Sequence, residues 1–254
     1  MSRAKFFDFE NLKTKGWDLR KFTDPQGWLD FVSTEESTFE DLVKEFYGHM
    51  TIKEKKEEKV LVSSVKGVKV TITQESLSKA LNIPNKGNQL YNSWFDSIKV
   101  TRDQLVLEYT KPKLDFNCTN LKGIPKIFHN MIRHTILPKC GSFKVVTNID
   151  LCIIYHLINK IPLNLCYIII QYMIDQCYSI KQKIAGLPYG MHLTPIFRAA
   201  KIDLDKEKGQ VTFMRFTAKT ISQLRITTTN IPIPPKSKSV KRPADKQVQK
   251  SGKK

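Results

Sequence analysis

Five aspartates are the residues of this sequence that metal-dependent phosphoryl chemistry would require. Nucleases of the RNase H type place three carboxylates around two metal ions, because in-line displacement needs both the attacking and the leaving oxygen to be stabilised. The candidate acids are Asp96, Asp103, Asp115, Asp150 and Asp175. None lies in a recognisable strand-embedded pattern, and Asp150 and Asp175 flank an apolar stretch, where helix caps or helix ends explain them. The sequence therefore predicts no nuclease site.

Histidines and cysteines form the second candidate set, for zinc or for nucleophilic catalysis. In chain order the zinc candidates are His129, His134, Cys140 and Cys152. Structural zinc usually binds a short Cys-x-x-Cys pair, whereas eleven residues separate these cysteines and the histidines lie about 140° apart around a helix. A Cys–His pair of Cys118 or Cys140 with His156 has no flanking motif. We expect no metal, no cofactor and no catalytic residue.

The chain is strongly basic, with 42 Lys and Arg against 24 Asp and Glu and a net charge of +18. Such an excess favours polyanions, either nucleic acid or an anionic membrane surface, because each neutralised phosphate releases counterions. Residues 110–144 contain one acid, Asp115, and seven cations: Lys111, Lys113, Lys122, Lys126, Arg133, Lys139 and Lys144. Several fall on the polar side of one predicted helix, which indicates a phosphate-binding surface. Solubility is the alternative explanation of the same charges.

The last part of the sequence, residues 236–254, carries eight Lys and Arg and a single acid. Lys241-Arg242, a spacer of ten residues and Lys253-Lys254 resemble a bipartite nuclear import signal, whose two basic clusters bind separate acidic grooves of a carrier. We expect residues 229–254 to be a disordered basic tail, because Pro232, Pro234 and Pro235 forbid regular structure at its start and it has few apolar residues. The predicted location is the nucleus, otherwise the cytoplasm; nonspecific binding of nucleic acid is an alternative role for the tail.

The most apolar stretch, residues 148–174, poses a choice between a membrane span and a buried core. A span needs about 20 nearly unbroken apolar residues. Lys160 and Pro162 interrupt this stretch at its centre, so we predict two buried helices joined by a short turn and no membrane partner. The charged N-terminus lacks an apolar signal segment, and the five cysteines are odd in number. Both features favour an intracellular protein with reduced thiols.

Hydrophobic spacing predicts one mainly α-helical domain over residues 17–228, after an N-terminal extension of residues 1–16. Further helices are predicted over residues 25–33 with Asp24 as the N-cap, from Ser37, from Thr73, and over residues 121–136, 193–200 and 217–226. Alternating residues predict a β-hairpin over residues 59–73 with its turn at Lys66-Gly67, and a small second hairpin over residues 205–216. The mixed-charge run over residues 51–59 is predicted to be a solvated helix end or a loop.

Read in order, five motifs resemble the putative plant transposon protein domain family, found in retrotransposon-derived plant sequences. They are LVKEFYGHM, similar to that family's EFYAN element, VSSVKGVKVTITQESLSKALNIP, IFHNMIRHTILP, LCIIYHLINKIPLNLCYIIIQYMI and LPYGMHLTPIFRAAKID. The likeness covers roughly residues 17–204. Gly48 and His49 replace the usual alanine and asparagine of the first motif.

The resemblance implies a retrotransposon-derived origin and brings no catalytic residues with it. One hypothesis is a noncatalytic nuclear protein that contacts DNA or RNA nonspecifically through phosphates. The alternative is a protein-interaction or assembly module, comparable to a capsid-like remnant, that self-associates and has no nucleic-acid role.

Overall fold

The computed structural model describes residues 5–55, 58–91, 95, 100–111, 117–139, 144–181, 186–211 and 214–226. Within these residues the fold is mainly α-helical with a small amount of β-structure, as the sequence predicts.

Helices account for most of the regular structure. In chain order they are α1 (Phe9–Thr14), α2 (Arg20–Thr23), α3 (Leu29–Val32), α4 (Glu40–His49), α5 (Gln74–Leu81), α6 (Arg102–Tyr109), α7 (Gly123–Met131), α8 (Asn148–Asn159), α9 (Leu165–Lys181), α10 (Gly190–Ala199) and α11 (Ala218–Gln223). Single 3₁₀ turns occupy Asp24–Gln26 and Cys118–Asn120. Helix α7 continues directly into a π-helical turn, Ile132–Ile136.

The strands of the described residues form two small sheets. They are β1 (Lys5–Phe7), β2 (Thr51–Lys55), β3 (Glu58–Val65), β4 (Val68–Ile72) and β5 (Met214–Phe216). Strands β2, β3 and β4 pair antiparallel in that order, and β1 pairs in parallel with β5. The predicted β3–β4 hairpin is confirmed. Its turn places Lys66 and Gly67 in the left-handed region, with φ values of 51° and 75°, as a tight two-residue hairpin turn requires.

The mixed-charge run over residues 51–59 is neither a helix end nor a loop, and that prediction is wrong. Its first part forms β2, in which Thr51 pairs with Val62 and Lys55 pairs with Glu58. Four of the five residues of β2 are exposed. The strand lies at the edge of the sheet, where charged side chains oppose pairing with another chain. Because an exposed edge strand needs no apolar face, its sequence lacks the alternation that identifies strands.

Helix α4 begins later than the predicted start at Ser37. Thr38 instead forms a reciprocal backbone bridge with Gln210, in which Thr38 N donates to Gln210 O at 2.8 Å and Gln210 N donates to Thr38 O at 2.9 Å. This long-range bridge places residue 38 in extended backbone, so the helix begins at Glu40.

The two other predicted helix starts differ in outcome. Asp24 does not cap a helix; it pairs with Nε of Arg20 at 3.2 Å and begins a 3₁₀ turn that ends at Gly27, whose φ is 69°. Thr73 caps α5 as predicted, because its hydroxyl oxygen accepts a hydrogen bond from Ser76 N at 3.1 Å.

The second predicted hairpin, over residues 205–216, is wrong. Strand β5 pairs instead with β1, more than 200 residues earlier in the chain, and the rings of Phe7 and Phe216 stack with centroids 4.3 Å apart. Phe7, Phe9 and Leu12 are buried in the main hydrophobic core. Residues 5–14, which the sequence sets apart as an extension, therefore pack with the rest of the fold.

The apolar stretch of residues 148–174 forms two buried helices, as predicted. Helix α8 packs against α2, α6 and α7, whereas α9 packs against α5 and β3. Leu151, Leu157 and Leu165 are fully buried, and the free thiols of Cys152 and Cys166 lie among them. Neither of these helices, nor any other helix in the described ranges, has the length and apolar content of a membrane span.

Shortening one of these central side chains should destabilise the protein strongly. Leu157→Ala leaves a cavity in α8, and we expect the free energy of unfolding to fall by about 2–5 kcal/mol in urea denaturation. Leu107→Ala is the matched control, since Leu107 is 69% exposed on α6 and its truncation should change stability by no more than about 0.5 kcal/mol. Equal effects of the two substitutions would show that α8 is not central to the core.

Candidate nucleic-acid interface

The structure separates the seven cations that the sequence assigns to one phosphate-binding surface. Lys111 and Lys144 are exposed, Lys122, Lys126 and Lys139 are partly buried, Arg133 is buried, and Lys113 lies outside the described residues. The apolar stripe of α7 is buried as predicted. The polar side of that helix, however, does not face water as a whole, because α7 packs against α8 while β1 contacts the π-helical turn that follows.

Arg133 is the main correction to the predicted surface. Only 2% of this residue is exposed, and its Nη2 donates to Oδ2 of Asp150 at 2.6 Å and also to the carbonyl of Val145. The guanidinium is therefore buried and already paired with a carboxylate, so it cannot bind a phosphate. The prediction fails because Arg133 lies in the π-helical turn after α7, from which its side chain reaches Asp150 in the first turn of α8.

The carboxylate of Asp150 organises this buried site. Its Oδ2 accepts hydrogen bonds from the backbone N and the hydroxyl of Thr147, both at 2.7 Å, which completes the cap at the start of α8. The same oxygen accepts from Arg133, so one atom joins the start of α8 to the end of α7. The other oxygen, Oδ1, is buried and has no hydrogen-bond partner among the described residues. The interpretation of Asp150 as a helix cap is therefore confirmed.

His129 completes the cluster as a neutral residue. Burial is the main cause that lowers its pKa to about 4, with the charge of Asp150 acting in the opposite direction. Its Nε2 accepts a hydrogen bond from Nε of Arg133 at 3.2 Å and lies 3.8 Å from Oδ2 of Asp150. Because the ring is neutral above about pH 4, this last contact is not an ion pair.

The remaining chemical candidates do not converge. In the described part of the chain, no group of three or more His, Cys, Asp and Glu residues is arranged to hold a metal ion. Asp103 is exposed on α6, and Asp175 accepts a hydrogen bond from the Tyr91 hydroxyl at 2.9 Å. Asp96, Asp115 and Cys140 lie outside the described residues.

A buried thiol does lie beside His156, although it belongs to Cys152 and not to Cys118 or Cys140. Sγ of Cys152 is 3.7 Å from Nδ1 of His156, and the same Nδ1 donates to the Cys152 carbonyl at 2.8 Å. Burial raises the pKa of the Cys152 thiol far above its usual range and lowers the pKa of His156. The pair holds a protonated thiol and a neutral imidazole, which is the opposite of an activated nucleophile.

Lys126 is the centre of a cationic group that remains near the surface. We call Lys111, Lys126 and Arg225 the Lys126 cluster. Nζ of Lys126 donates to the carbonyl of Leu224 at 3.0 Å, while Lys111 and Arg225 are exposed. Burial lowers the pKa of Lys126, and the charges of Lys111 and Arg225 lower it further, against a weaker opposite influence of Cys118. No carboxylate among the described residues contributes to that shift.

Lys122 and Lys139 are the other partly buried lysines of the predicted surface. Nζ of Lys122 donates to the carbonyls of Leu107 and Glu108 at 3.2 and 2.9 Å, near the C-terminal end of α6, where a cation complements free carbonyl groups. Burial lowers the pKa of Lys139, and the neighbouring Arg133 lowers it further. Lys122 is therefore bonded within the fold, whereas Lys139 is partly buried beside Arg133.

Sequence reasoning missed Arg225. It follows α11, and its neighbour Leu224 contacts Lys126 across 98 positions of the chain, so no local pattern could indicate the cluster. The four residues of the predicted import signal, Lys241, Arg242, Lys253 and Lys254, lie outside the described residues, and that signal stays a prediction.

Breaking the buried pair should cost far more than breaking an exposed one. Asp150→Asn keeps an oxygen that can cap α8 but leaves the Arg133 charge without a carboxylate, and we expect a loss of about 3–5 kcal/mol in urea denaturation. Glu36→Gln is the control: it removes the carboxylate paired with Arg198, which is 54% exposed, and should cost at most about 1 kcal/mol. Adding Arg133→Met to Asp150→Asn should recover part of the loss, because the unpaired charge is removed. If the two single variants lose similar stability, Asp150 does not anchor the fold.

Comparison with known proteins gives a family and no closer relative. The family model described as "Putative plant retrotransposon-related domain" matches residues 24–203, which is more than half of the chain. No curated protein and no solved structure matches the sequence. The matched segment extends from the 3₁₀ turn at Asp24 past the end of α10 and includes Lys111 and Lys126, whereas Arg225 and the basic tail lie beyond it. On this match, the chain belongs to the putative plant retrotransposon-related domain family, as the order of its motifs predicts.

Proposed function

We propose that this retrotransposon-related protein is a noncatalytic nuclear protein that contacts nucleic acid through phosphates, at the Lys126 cluster and along its basic tail. The observation that carries the proposal is the cluster itself: Nζ of Lys126 donates to the carbonyl of Leu224, the charges of Lys111 and Arg225 both act on it, and no carboxylate among the described residues does. This group replaces the surface of seven cations that the sequence predicts.

The electrostatics of Lys126 support an anionic partner. Its ammonium group is partly desolvated and lies near two further positive charges, both of which disfavour the charged form. A phosphate oxygen at this position would oppose both effects, because an opposite charge favours the charged amine. Cations that already have internal partners, such as Arg133 and Lys122, would gain less from the same phosphate.

Chain continuity places more positive charge within reach of the cluster. The described chain ends at Ile226, directly after Arg225, and eight further Lys and Arg follow from Lys236 onward. The ten Cα–Cα steps from Ile226 to Lys236 can span at most about 35 Å. A polyanion bound at the cluster is therefore within reach of the tail, which would add nonspecific phosphate contacts.

The noncatalytic part of the proposal is supported by the state of the buried candidate groups. Asp150 is occupied as a cap and as the partner of Arg133, and the thiol of Cys152 is protonated in the core. Both groups therefore stabilise the fold, and neither is in the state that a metal ligand or a nucleophile requires.

A salt titration of DNA and RNA binding tests the proposal. In the full-length protein, the triple substitution of Lys111, Lys126 and Arg225 by Ala should lower affinity and reduce the slope of log affinity against log salt by about one for each side chain that contacts a phosphate. The sequence of the nucleic acid should have little effect. Fluorescence anisotropy with labelled duplex DNA and single-stranded RNA measures both quantities.

The matched control removes three other exposed lysines, Lys69, Lys86 and Lys206, by substitution with Ala. Its net charge equals that of the cluster variant, yet we expect it to retain the wild-type salt slope. Replacing the eight tail cations by Gln in a further variant separates the contribution of the tail. Equal losses in the two triple variants would reduce the effect to net charge. No salt-dependent binding at all would favour the assembly hypothesis, which sedimentation velocity would then test.

Nuclear import is tested separately with a fluorescent fusion in plant cells. Lys241→Ala with Arg242→Ala should shift the protein from the nucleus toward the cytoplasm, because the carrier loses one of its two basic clusters. Lys236→Ala with Lys238→Ala removes the same charge outside the proposed signal and should leave the nuclear fraction unchanged. A nuclear fraction that is insensitive to the first pair of substitutions would contradict the import signal.

A further inference from the structure

A cavity of about 270 Å³ lies between α9, the start of α5 and the beginning of β3. Three glutamines, Gln74, Gln89 and Gln171, line it together with Tyr167, Ile170 and the adjacent charged residues Glu58 and Lys59. Its volume is slightly below the usual lower limit of about 300 Å³ for small-molecule sites, which suits a one-ring or two-ring heterocycle better than a large cofactor. Its lining combines an aromatic ring, an aliphatic side chain and several amides.

A chain of hydrogen bonds fixes the orientation of the amide of Gln74. The oxygen of the Asn164 side chain accepts from the backbone N of Tyr167 at 3.0 Å, so the amide nitrogen of Asn164 must be the donor to Oε1 of Gln74, at 3.1 Å. Gln89 also donates to Oε1 of Gln74, at 3.4 Å. Both bonds occupy the oxygen of Gln74.

The amide nitrogen of Gln74 is consequently left as an available donor. Gln74 is only 7% exposed, yet its Nε2 has no acceptor within the described ranges. Within the same ranges, the amide of Gln171 and the hydroxyl of Tyr167 also have no hydrogen bond to the protein. The cavity therefore presents unused polar groups beside the Tyr167 ring.

We infer that this cavity binds an unpaired nucleobase. A base has a flat π-face that stacks on an aromatic side chain and an edge that carries both donors and acceptors, which matches Tyr167 and the glutamine amides. Ile170 supplies apolar contact, and Lys59, for which no ion-pair partner is found in the described ranges, lies at the same cavity and suits the attached phosphate. This site differs from the Lys126 cluster, so the inference extends the proposed function and can fail without it.

Titration of the full-length, isotope-labelled protein with the four nucleoside 5′-monophosphates tests the inference. The side-chain amide NMR signals of Gln74, Gln89 and Gln171 should shift on addition of at least one nucleotide. Tyr167→Ala should weaken that binding by about fivefold or more, because it removes the stacking surface. Gln74→Glu keeps an oxygen for Asn164 and Gln89, replaces the free donor by an acceptor, and should also weaken binding.

Tyr178→Ala is the matched control, since Tyr178 lies on the same helix, is 60% exposed and does not line the cavity. It should bind like the wild type, and the triple variant of the Lys126 cluster should also retain the amide shifts.

Ribose 5-phosphate separates recognition of the base from recognition of the phosphate. Identical amide shifts with this sugar phosphate would overturn the inference. A short single-stranded oligonucleotide that binds more tightly than the mononucleotides identifies a nucleic-acid strand as the source of the base, whereas equal affinity identifies a free nucleotide. The absence of amide shifts with every nucleotide and with the oligonucleotide would overturn the inference and leave the salt-dependent binding untouched.

Discussion

The carboxylate of Asp150 sets the arrangement of the central helices. One of its oxygens completes the cap of α8 through Thr147 and also accepts from Arg133 at the end of α7, so the two helices meet at a single buried atom. The geometry has little tolerance, because a buried charge is stable only while its partner and hydrogen bonds remain in place. His129 fits beside the pair as a neutral acceptor and adds no further charge to the interior. The helix that supplies Arg133 to this site therefore cannot present the same residue to a phosphate.

Polar side chains supply hydrogen-bond partners for the backbone of the turn between α8 and α9. Lys160 and Pro162 of this turn are exposed, but Leu163 and Asn164 are buried, so the backbone groups on the inner side need partners other than water. Gln26 supplies three: its amide nitrogen donates to the carbonyls of His156 and Ile161 at 3.1 and 2.7 Å, and its oxygen accepts from Leu163 N at 3.0 Å. The chain near Gly87 approaches from the other side so closely that a Cβ there would lie 2.6 Å from the backbone of Pro162, and its φ of 102° also requires glycine. These contacts give the apolar helix pair a fixed connection, and Asn164 in the same turn orients Gln74 toward its cavity.

Local signals in the sequence predict much of this fold. The cap at Thr73, the hairpin turn at Lys66-Gly67, the apolar stripe of α7 and the interrupted apolar pair are all where residue spacing places them. The failures share one cause, which is contact between distant parts of the chain. Asp150 lies 17 positions from Arg133, Leu224 lies 98 positions from Lys126, and β1 pairs with β5 across nearly the whole described chain. A helical wheel separates polar from apolar sides, but it cannot tell a polar side that meets water from one that meets a buried carboxylate.

The same distinction limits what a net charge of +18 can say about binding. A cation can bind a partner only to the extent that its charged group does not already have hydrogen-bond or ion-pair partners in the protein. Arg133, Lys122 and Arg198 all have such partners. Lys126 differs because, among the described residues, the charged side chains that lower its pKa are cations and its Nζ donates to one carbonyl, whereas Lys122 donates to two. Such a group carries unrelieved repulsion in the free protein, and a polyanion that binds the folded state would relieve it. By linkage, that polyanion would stabilise the fold to the extent that it binds the native state in preference to the unfolded chain. On the proposed function, phosphate binding at the Lys126 cluster would therefore be coupled to stability, whereas the buried Asp150 pair contributes to stability through contacts inside the fold.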